Sequence, residues 1–127
     1  MSTLTCGQVG WFDLTVPDAE SLRAFYQQVV GWTAEAVEMD GYNDYCMKPP
    51  GAEMPVAGIC HARGSNAHLP AQWLLYITVA DLEASLRACE AAGGKALTQP
   101  REAGSGRFAV IRDPAGAVCA LYQAIEH

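Results

Sequence analysis

The segment Gly106–Gln123, with the sequence GRFAVIRDPAGAVCALYQ, decides the fold of this chain. Two runs rich in β-forming residues, GRFAVIR and AVCALYQ, flank Asp113-Pro114-Ala115-Gly116. Proline presets the backbone for a turn and glycine reaches the conformations that a tight turn needs. The segment therefore predicts a β-hairpin that completes a sheet near the end of the chain.

Composition limits the range of proteins to which this chain can belong. With 127 residues it is predicted to form a single domain over 1–127, and half of its residues are apolar. The formal net charge of −6 argues against nucleic acid or an anionic membrane as a partner. Five cysteines without a C-x-x-C pair, no long apolar run and no signal-like start predict a cytoplasmic protein with reduced thiols.

The first part of the chain follows a strand–helix–strands order. Val9–Val16 alternates apolar and polar residues as a strand does, and Asp18 is a good N-cap for a following helix. Gly31 is predicted to end that helix. Three short strands are predicted near residues 33–38, 43–48 and 54–60. The apolar face of the helix comprises Leu22, Phe25, Tyr26, Val29 and Val30.

The same order then repeats with a nearly constant spacing. Asp81 follows Asp18 by 63 residues, and Gly94 follows Gly31 by 63. The repeat predicts two βαβββ modules, at about 7–61 and 72–124, joined by a linker over 62–71 that is rich in glycine, serine and asparagine. Neither module is large enough to bury a core alone, so both are predicted to form one domain.

These motifs resemble the vicinal oxygen chelate superfamily, which includes glyoxalase I, extradiol dioxygenases and the fosfomycin- and bleomycin-resistance proteins. The amino-acid sequence of these motifs is most similar to that of a glyoxalase-like bacterial subgroup. The resemblance implies an α+β fold in which eight strands form a curved, incomplete barrel with the ligand in the cup and the helices outside. The motifs that carry it are Val16-Pro17-Asp18, Phe25-Tyr26, Gly31-Trp32, Val79-Ala80-Asp81, Gly93-Gly94, Gly106-Arg107-Phe108 and Asp113-Pro114-Ala115-Gly116.

The resemblance also implies where a divalent metal would bind, because enzymes of this superfamily hold it with His, Gln and Glu side chains from cup-facing strand positions. In this chain those positions carry residues without a suitable donor. We therefore expect no metal cofactor. Two histidines of the linker region, His61 and His68, could be ligands, but solvated linker histidines are the simpler interpretation. The implied metal positions are Trp11, Leu74, Ala120 and one of Pro55, Ala57 and Ile59.

The alternation of side chains along the strands predicts a ligand-binding face that is apolar and aromatic with few polar groups. Phe12, Leu14, Val16, Leu75, Ile77 and Val79 are expected to face the helices. The predicted ligand-binding residues are Trp11, Asp13, Tyr45, Leu74, Tyr76, Ala120 and Tyr122, with Met47 as a further candidate.

Asp13 is the candidate catalytic residue, as a general base or as an anchor for a cationic ligand. An ion pair with Arg107 or Arg112 is the structural alternative. The sequence thus predicts a metal-independent protein that binds a small cationic or aromatic molecule, with a homodimer implied by the resemblance. A metal-dependent lyase, isomerase or dioxygenase and a catalytically silent partner protein are the alternatives.

Overall fold

The computed structural model describes residues 5–125, which contain two helices and nine strands. The α+β class predicted from the sequence is confirmed. The elements are β1 (Val9–Val16), α1 (Ala19–Val30), β2 (Thr33–Glu38), β3 (Asn43–Lys48), β4 (Ala57–His61), a 3₁₀ turn (Gly64–Asn66), β5 (Trp73–Thr78), α2 (Leu82–Ala91), β6 (Lys95–Ala96), β7 (Arg101–Ala103), β8 (Gly106–Arg112) and β9 (Val118–Ala124).

The backbone divides into two compact units. One unit, which we call the first unit, is Phe12–Trp73 and contains α1 with β2, β3, β4 and most of β1. The second unit contains α2, β6 to β9 and β5 from Leu74 onward, together with the described residues up to Trp11. No helix within 5–125 is long and apolar enough to cross a membrane.

In the first unit the strand order is β2-β3-β4-β1. The strand β4 runs parallel to β1 and antiparallel to β3. Helix α1 begins after Asp18, whose carboxylate accepts the backbone N–H of Ser21 at 3.1 Å and its hydroxyl at 2.7 Å. It ends at Gly31, where the left-handed backbone (φ 77°) favours glycine. The core against α1 includes Leu14, Val16, Ala19, Tyr45, Met47 and Ile59.

The second unit repeats this arrangement with the order β5-β9-β8-β6. The strand β9 runs parallel to β5 and antiparallel to β8, so the predicted hairpin is present. Asp81 caps α2 by accepting the backbone N–H of Ala84 at 3.1 Å. The core against α2 contains Leu82, Ala109 and Leu121, with Ile77, Val79, Leu86 and Ile111 packed on it.

Two strands differ from their predicted bounds. The fourth strand begins at Ala57 rather than at Met54, because Pro55 has no N–H to donate to a ladder. The short strand β7 was not expected, and it pairs with β8 across a two-residue turn at Gly104 and Ser105. Three residues are too few to show a period of alternation, so sequence patterning gives no signal for such a strand.

Candidate functional site

The predicted ligand-binding residues of the second unit lie on one face of its sheet. Strand register places Tyr76 beside Ala120, and Ala120 beside Val110. In the neighbouring row Tyr122 lies beside Phe108. Because α2 packs on the alternate residues of β5, β8 and β9, these side chains occupy the face away from the helix. Sequence alternation therefore grouped Tyr76, Ala120 and Tyr122 correctly.

Three aromatic rings and one guanidinium meet on this face, and we call Tyr76, Phe108, Tyr122 and Arg101 the aromatic wall. The rings of Tyr76 and Phe108 have centroids 5.6 Å apart. The Arg101 guanidinium carbon lies 4.8 Å from the centre of the Phe108 ring, within the range of a cation–π contact. The wall thus combines planar apolar surface with a fixed positive charge.

The hydroxyl of Tyr122 is held at the end of the wall. It lies 3.3 Å from the Ser105 hydroxyl oxygen, which is hydrogen-bonding distance. A Cβ at Gly106 would come within 2.3 Å of the Tyr122 hydroxyl oxygen and 2.5 Å of the Gln123 carbonyl oxygen. Glycine at this position therefore lets the Tyr122 side chain lie flat against β8.

Burial divides the face into a closed part and an accessible part. Leu74, Val110 and Ala120 are fully buried, whereas Tyr76 and Tyr122 are only partly buried. Leu74 and Ala120 therefore act as packed support. Phe108 is also buried, so Tyr76, Tyr122 and the partly buried Arg101 are the part of the wall that a ligand could reach.

The corresponding face of the first unit is polar. Register places Asp13 beside Gly58, Gly58 beside Cys46, and Cys46 beside Glu35. Glu35 pairs with Lys48 at 3.6 Å. We call Asp13, Glu35, Cys46 and Cys60 the acidic face.

The two thiols of the acidic face are held in their neutral form. Burial raises the pKa of the Cys46 thiol, and the nearby Asp13 carboxylate raises it further. Burial also raises the pKa of Cys60, with Asp13 and Asp44 adding to the effect. A nucleophilic cysteine needs a thiolate, so neither residue is suited to nucleophilic catalysis. Asp13 lies close enough to both thiols to influence them, and its catalytic role stays a prediction.

Tyr45 and Met47 lie on the opposite face from the one predicted. Both are buried in the core against α1, and Tyr45 pairs with Ile59, the same residue that pairs with Leu14. The sequence shows that β3 alternates but not which of its two faces meets the helix. Only the register with β4 decides this.

Arg107 has an identified partner on α2. Its guanidinium donates to Glu83, with Arg107 Nη1 at 3.2 Å from Glu83 Oε1. This hydrogen bond lowers the pKa of Glu83 and raises that of Arg107. Arg107, one of two cations considered as partners of Asp13, thus ties β8 to α2.

Strand register also identifies the fourth position at which the resemblance implies a metal ligand. Asp13 pairs with Gly58 in the first unit as Tyr76 pairs with Ala120 in the second. The position equivalent to Ala120 is therefore Gly58, not Pro55, Ala57 or Ile59. Glycine has no side-chain donor, and Trp11, Leu74 and Ala120 have none for a divalent ion. No group of three or more His, Cys, Asp or Glu that could hold a metal occurs within 5–125.

The sequence suggested that His61 is a solvated linker residue, and this prediction was wrong. It is the last residue of β4, and its imidazole Nδ1 lies 3.4 Å from a carboxylate oxygen of Asp44. His68 is exposed in the connection that follows. The prediction failed for His61 because the strand extends one residue further than the alternation showed.

The first unit also has an apolar pocket of about 290 Å³, lined by Phe12, Trp32, Val56, Ala57 and Trp73. Trp73 Nε1 donates to the Tyr26 hydroxyl at 3.1 Å, which fixes that indole ring. Phe12, expected against the helix, is 40% exposed at the pocket.

Phe108 and Arg101 of the aromatic wall were not predicted. Phe108 could have been found, because it alternates with Val110 within GRFAVIR. Arg101 gave no signal, because it lies on the short strand β7, where only pairing with β8 places it opposite Phe108.

The chain belongs to the Glyoxalase/Bleomycin resistance protein/Dioxygenase superfamily, whose family model matches residues 8–121. The resemblance inferred from the sequence motifs is thereby confirmed.

Among curated proteins, the chain is 32% identical to the anthracycline biosynthesis protein DnrV of Streptomyces peucetius, over 97% of this chain and 49% of that protein. It is 31% identical to the putative glyoxylase CFP32 of Mycobacterium tuberculosis, over 88% of this chain and 42% of that protein. The chain thus spans about half the length of the curated relatives that it matches.

Solved structures share the fold over nearly the whole chain. Methylmalonyl-CoA epimerase from Mycobacterium tuberculosis matches with a TM-score of 0.61 and 16% identity, covering 98% of this chain and 94% of that one. A hypothetical protein from Bacillus halodurans C-125 matches with a TM-score of 0.65 and 11% identity, covering 97% and 98%. At these identities the likeness concerns the fold alone.

Proposed function

We propose that this protein binds a planar aromatic small molecule on the aromatic wall of its second unit. The observation that carries the proposal is the meeting of Tyr76, Phe108 and Tyr122 with the Arg101 guanidinium on one sheet face. Aromatic rings contribute about 0.5–1.5 kcal/mol per stacked pair beyond the burial of their area. An electron-rich ring system with an acidic oxygen would use both the rings and the cation.

The relatives support an aromatic ligand for this chain. The proteins DnrV and DauV, both named for anthracycline biosynthesis, match it over 97% of its length. The net charge of −6 favours a cation in the surrounding field, whereas Arg101 favours an anion at short range. A close charge acts more strongly on a ligand than distant, screened charges do. We therefore expect an anionic ligand to bind more tightly than a cationic one.

Binding is proposed to be independent of metal. The positions at which the family resemblance implies ligands carry Trp11, Gly58, Leu74 and Ala120, and none can hold a divalent ion through its side chain. Treatment with EDTA should leave ligand affinity unchanged, and elemental analysis should find less than one equivalent of Ni, Zn, Mn or Fe. A stoichiometric, tightly held metal whose removal abolishes binding would instead favour a lyase, isomerase or dioxygenase.

The ligand proposal is tested by calorimetric titration with three probes of different charge. Anthraquinone-2-sulfonate should bind more tightly than uncharged anthraquinone or cationic 9-aminoacridine. Tyr76→Leu should weaken binding about 2- to 13-fold, the range of one lost ring stack. Arg101→Gln should weaken the sulfonate but not the uncharged ring.

Matched controls exist outside the wall. Arg87→Gln removes an exposed cation of α2, and Phe12→Leu removes a ring from the pocket of the first unit. Both should leave binding unchanged. Equal losses from Phe12→Leu and Tyr76→Leu would show that the ligand is not on the wall. Preference for 9-aminoacridine with loss on Asp13→Asn would move the site to the acidic face.

Two further features belong to the proposal. We expect a cytoplasmic protein, which the five cysteines support because none forms a disulfide. We also expect a homodimer, for which exposed apolar side chains on α1, including Phe25, Val29 and Val30, offer surface. Sedimentation velocity on the titration samples would give the mass of the protein in solution, which should be twice the 13.6 kDa of one chain for a homodimer.

A further inference from the structure

The apolar pocket of the first unit has walls made of interlocked aromatic rings. The Tyr26 ring stacks on Trp32, with centroids 5.7 Å apart and planes at 29°. Trp73 meets both of these rings edge to face, at 5.4 Å from Tyr26 and 6.0 Å from Trp32. The Trp73 indole N–H also donates to the Tyr26 hydroxyl. These contacts hold two of the five lining side chains in place, so little ordering is left for a ligand to impose.

The other lining side chains come from separate strands of the same unit. Phe12 lies on β1, Val56 directly precedes β4, and Ala57 begins that strand. Ala57 is buried, whereas Phe12 and Val56 keep 40% and 42% of their surface exposed at the pocket. An apolar ligand would remove part of this surface from water, at about 25 cal/mol per Å².

The chemistry of the lining selects an uncharged ligand. The five lining residues are Phe12, Trp32, Val56, Ala57 and Trp73, and none of these five carries a charge. The one polar atom of the Trp73 side chain is already bonded to Tyr26. A charged group placed among these side chains would lose its hydration without gaining a partner, which is costly.

The volume of the pocket sets the size of the ligand. An apolar cavity of ~150 Å³ in a protein holds one benzene molecule. This pocket has about 290 Å³, nearly twice that volume, and therefore fits a molecule of two rings. On the same scale three fused rings exceed the pocket, so the anthraquinone probes still report on the aromatic wall.

We propose that this pocket is a second ligand site of the protein and that it takes an uncharged two-ring aromatic molecule, of the class of indole or naphthalene. Ring contacts with the lining add to the burial of apolar surface. The site lies within the first unit and does not depend on the aromatic wall. The two sites differ in charge preference, because Arg101 of the wall favours an anion and the pocket lining offers an anion no partner.

Titration of the ¹⁵N-labelled protein with indole, followed by the NMR signals of its tryptophan N–H groups, tests the proposal. The chain has three tryptophans, of which Trp32 and Trp73 line the pocket and Trp11 does not. Indole should therefore shift the signals of Trp32 and Trp73 more than that of Trp11. Indole-3-carboxylate, which adds only a charged group, should bind at least ~10-fold more weakly, because the pocket cannot pair its charge.

Variants separate the pocket from the aromatic wall. Val56→Phe places a ring at the pocket and should weaken indole binding at least ~10-fold by occupying its space. Met54→Phe adds the same ring two residues earlier, at a 73% exposed side chain outside the lining, and should leave binding unchanged. Phe12→Leu should weaken indole about 2- to 13-fold and spare anthraquinone-2-sulfonate, whereas Tyr76→Leu should do the reverse.

Three outcomes would overturn the proposal. One is that indole near its solubility limit shifts neither Trp32 nor Trp73. Another is that indole-3-carboxylate binds more tightly than indole and loses affinity in Arg101→Gln, which would place both molecules on the wall. The third is that the two signals shift when the protein alone is diluted, which would show that a second copy of the chain covers the pocket. All but the Arg101→Gln control use the natural chain, so a variant that does not fold leaves the test intact.

Discussion

The two units share a topology and differ on one face of each sheet. In the first unit one row of paired residues reads Asp13, Gly58, Cys46, and in the second the equivalent row reads Tyr76, Ala120, Val110. The faces against the helices are alike: Leu14 and Val16 correspond to Ile77 and Val79 at a spacing of 63 residues. Burying the helix requires only one apolar face per sheet, so the other face is free to carry chemistry.

This difference separates two kinds of site. The aromatic wall offers rings and a cation above a packed apolar support, which suits binding of a planar ligand. The first unit gathers carboxylates, neutral thiols and the His61–Asp44 pair.

The largest expected effect concerns the packed support of the aromatic wall. Leu74 is fully buried, so Leu74→Ala should lower the free energy of unfolding by about 2–5 kcal/mol through lost burial and a residual cavity. Its neighbour Leu75 points to the other face and is 40% exposed. Leu75→Ala should therefore change the free energy of unfolding by no more than about 0.5 kcal/mol. Urea unfolding followed by circular dichroism measures both, and equal losses would mean that the face is not packed as described.

A smaller effect is expected at the thiols of the acidic face. Alkylation by iodoacetamide at pH 8 needs a thiolate, and burial and nearby carboxylates raise the pKa of Cys46 and Cys60. Both should react more than about tenfold slower than the exposed Cys6. Asp13→Asn removes one carboxylate and should therefore speed the alkylation of Cys46. Glu20→Gln, on the exposed face of α1, should leave that rate unchanged. Peptide mass spectrometry gives each rate; labelling of Cys60 as fast as Cys6 would contradict the described burial.

The smallest effect distinguishes the two helix caps. Asp18 receives both the N–H and the hydroxyl of Ser21, whereas Asp81 receives only an N–H, because Ala84 stands where α1 has Ser21. The Ser21 hydroxyl is the main cause of the lowered pKa of Asp18. A lowered pKa stabilises the fold above the unfolded value of about 3.9, and that contribution is lost as pH falls through the folded value.

Ser21→Ala should therefore raise the pKa of Asp18, measured by NMR titration of its carboxyl carbon, and should reduce the loss of stability on acidification below about pH 4. Ala84→Ser offers the reverse change on α2 and should leave Asp18 unaffected. An Asp18 titration that does not move in Ser21→Ala would show that the hydroxyl contact does not persist in solution.

Much of the fold could be predicted because its signals are local. The N-caps Asp18 and Asp81, the end of α1 at Gly31 and the hairpin at Asp113–Gly116 depend on residues within a few positions of one another. Alternation along β5 and β9 was sufficient to place Tyr76, Ala120 and Tyr122 on one face.

The site was predicted less completely because pairing between distant strands decides it. Tyr45 was placed on the wrong face, Arg101 was missed on a three-residue strand, and His61 was assigned to a solvated linker. The prediction that Asp13 shares one cup with Trp11 and the other predicted residues of the second unit stays a prediction.

The sequence by itself determined the α+β class, the repeated strand–helix–strands order and the residues Trp11, Leu74 and Ala120 at three of the positions where the family resemblance implies a metal. Short-range hydrogen bonds and a period of two or 3.6 residues are properties of a segment and can be read from it. Only the tertiary structure decided that Arg101 lies over Phe108 and that Asp44 meets His61. Register fixes these contacts, and a shift of one residue would turn each side chain to the opposite face.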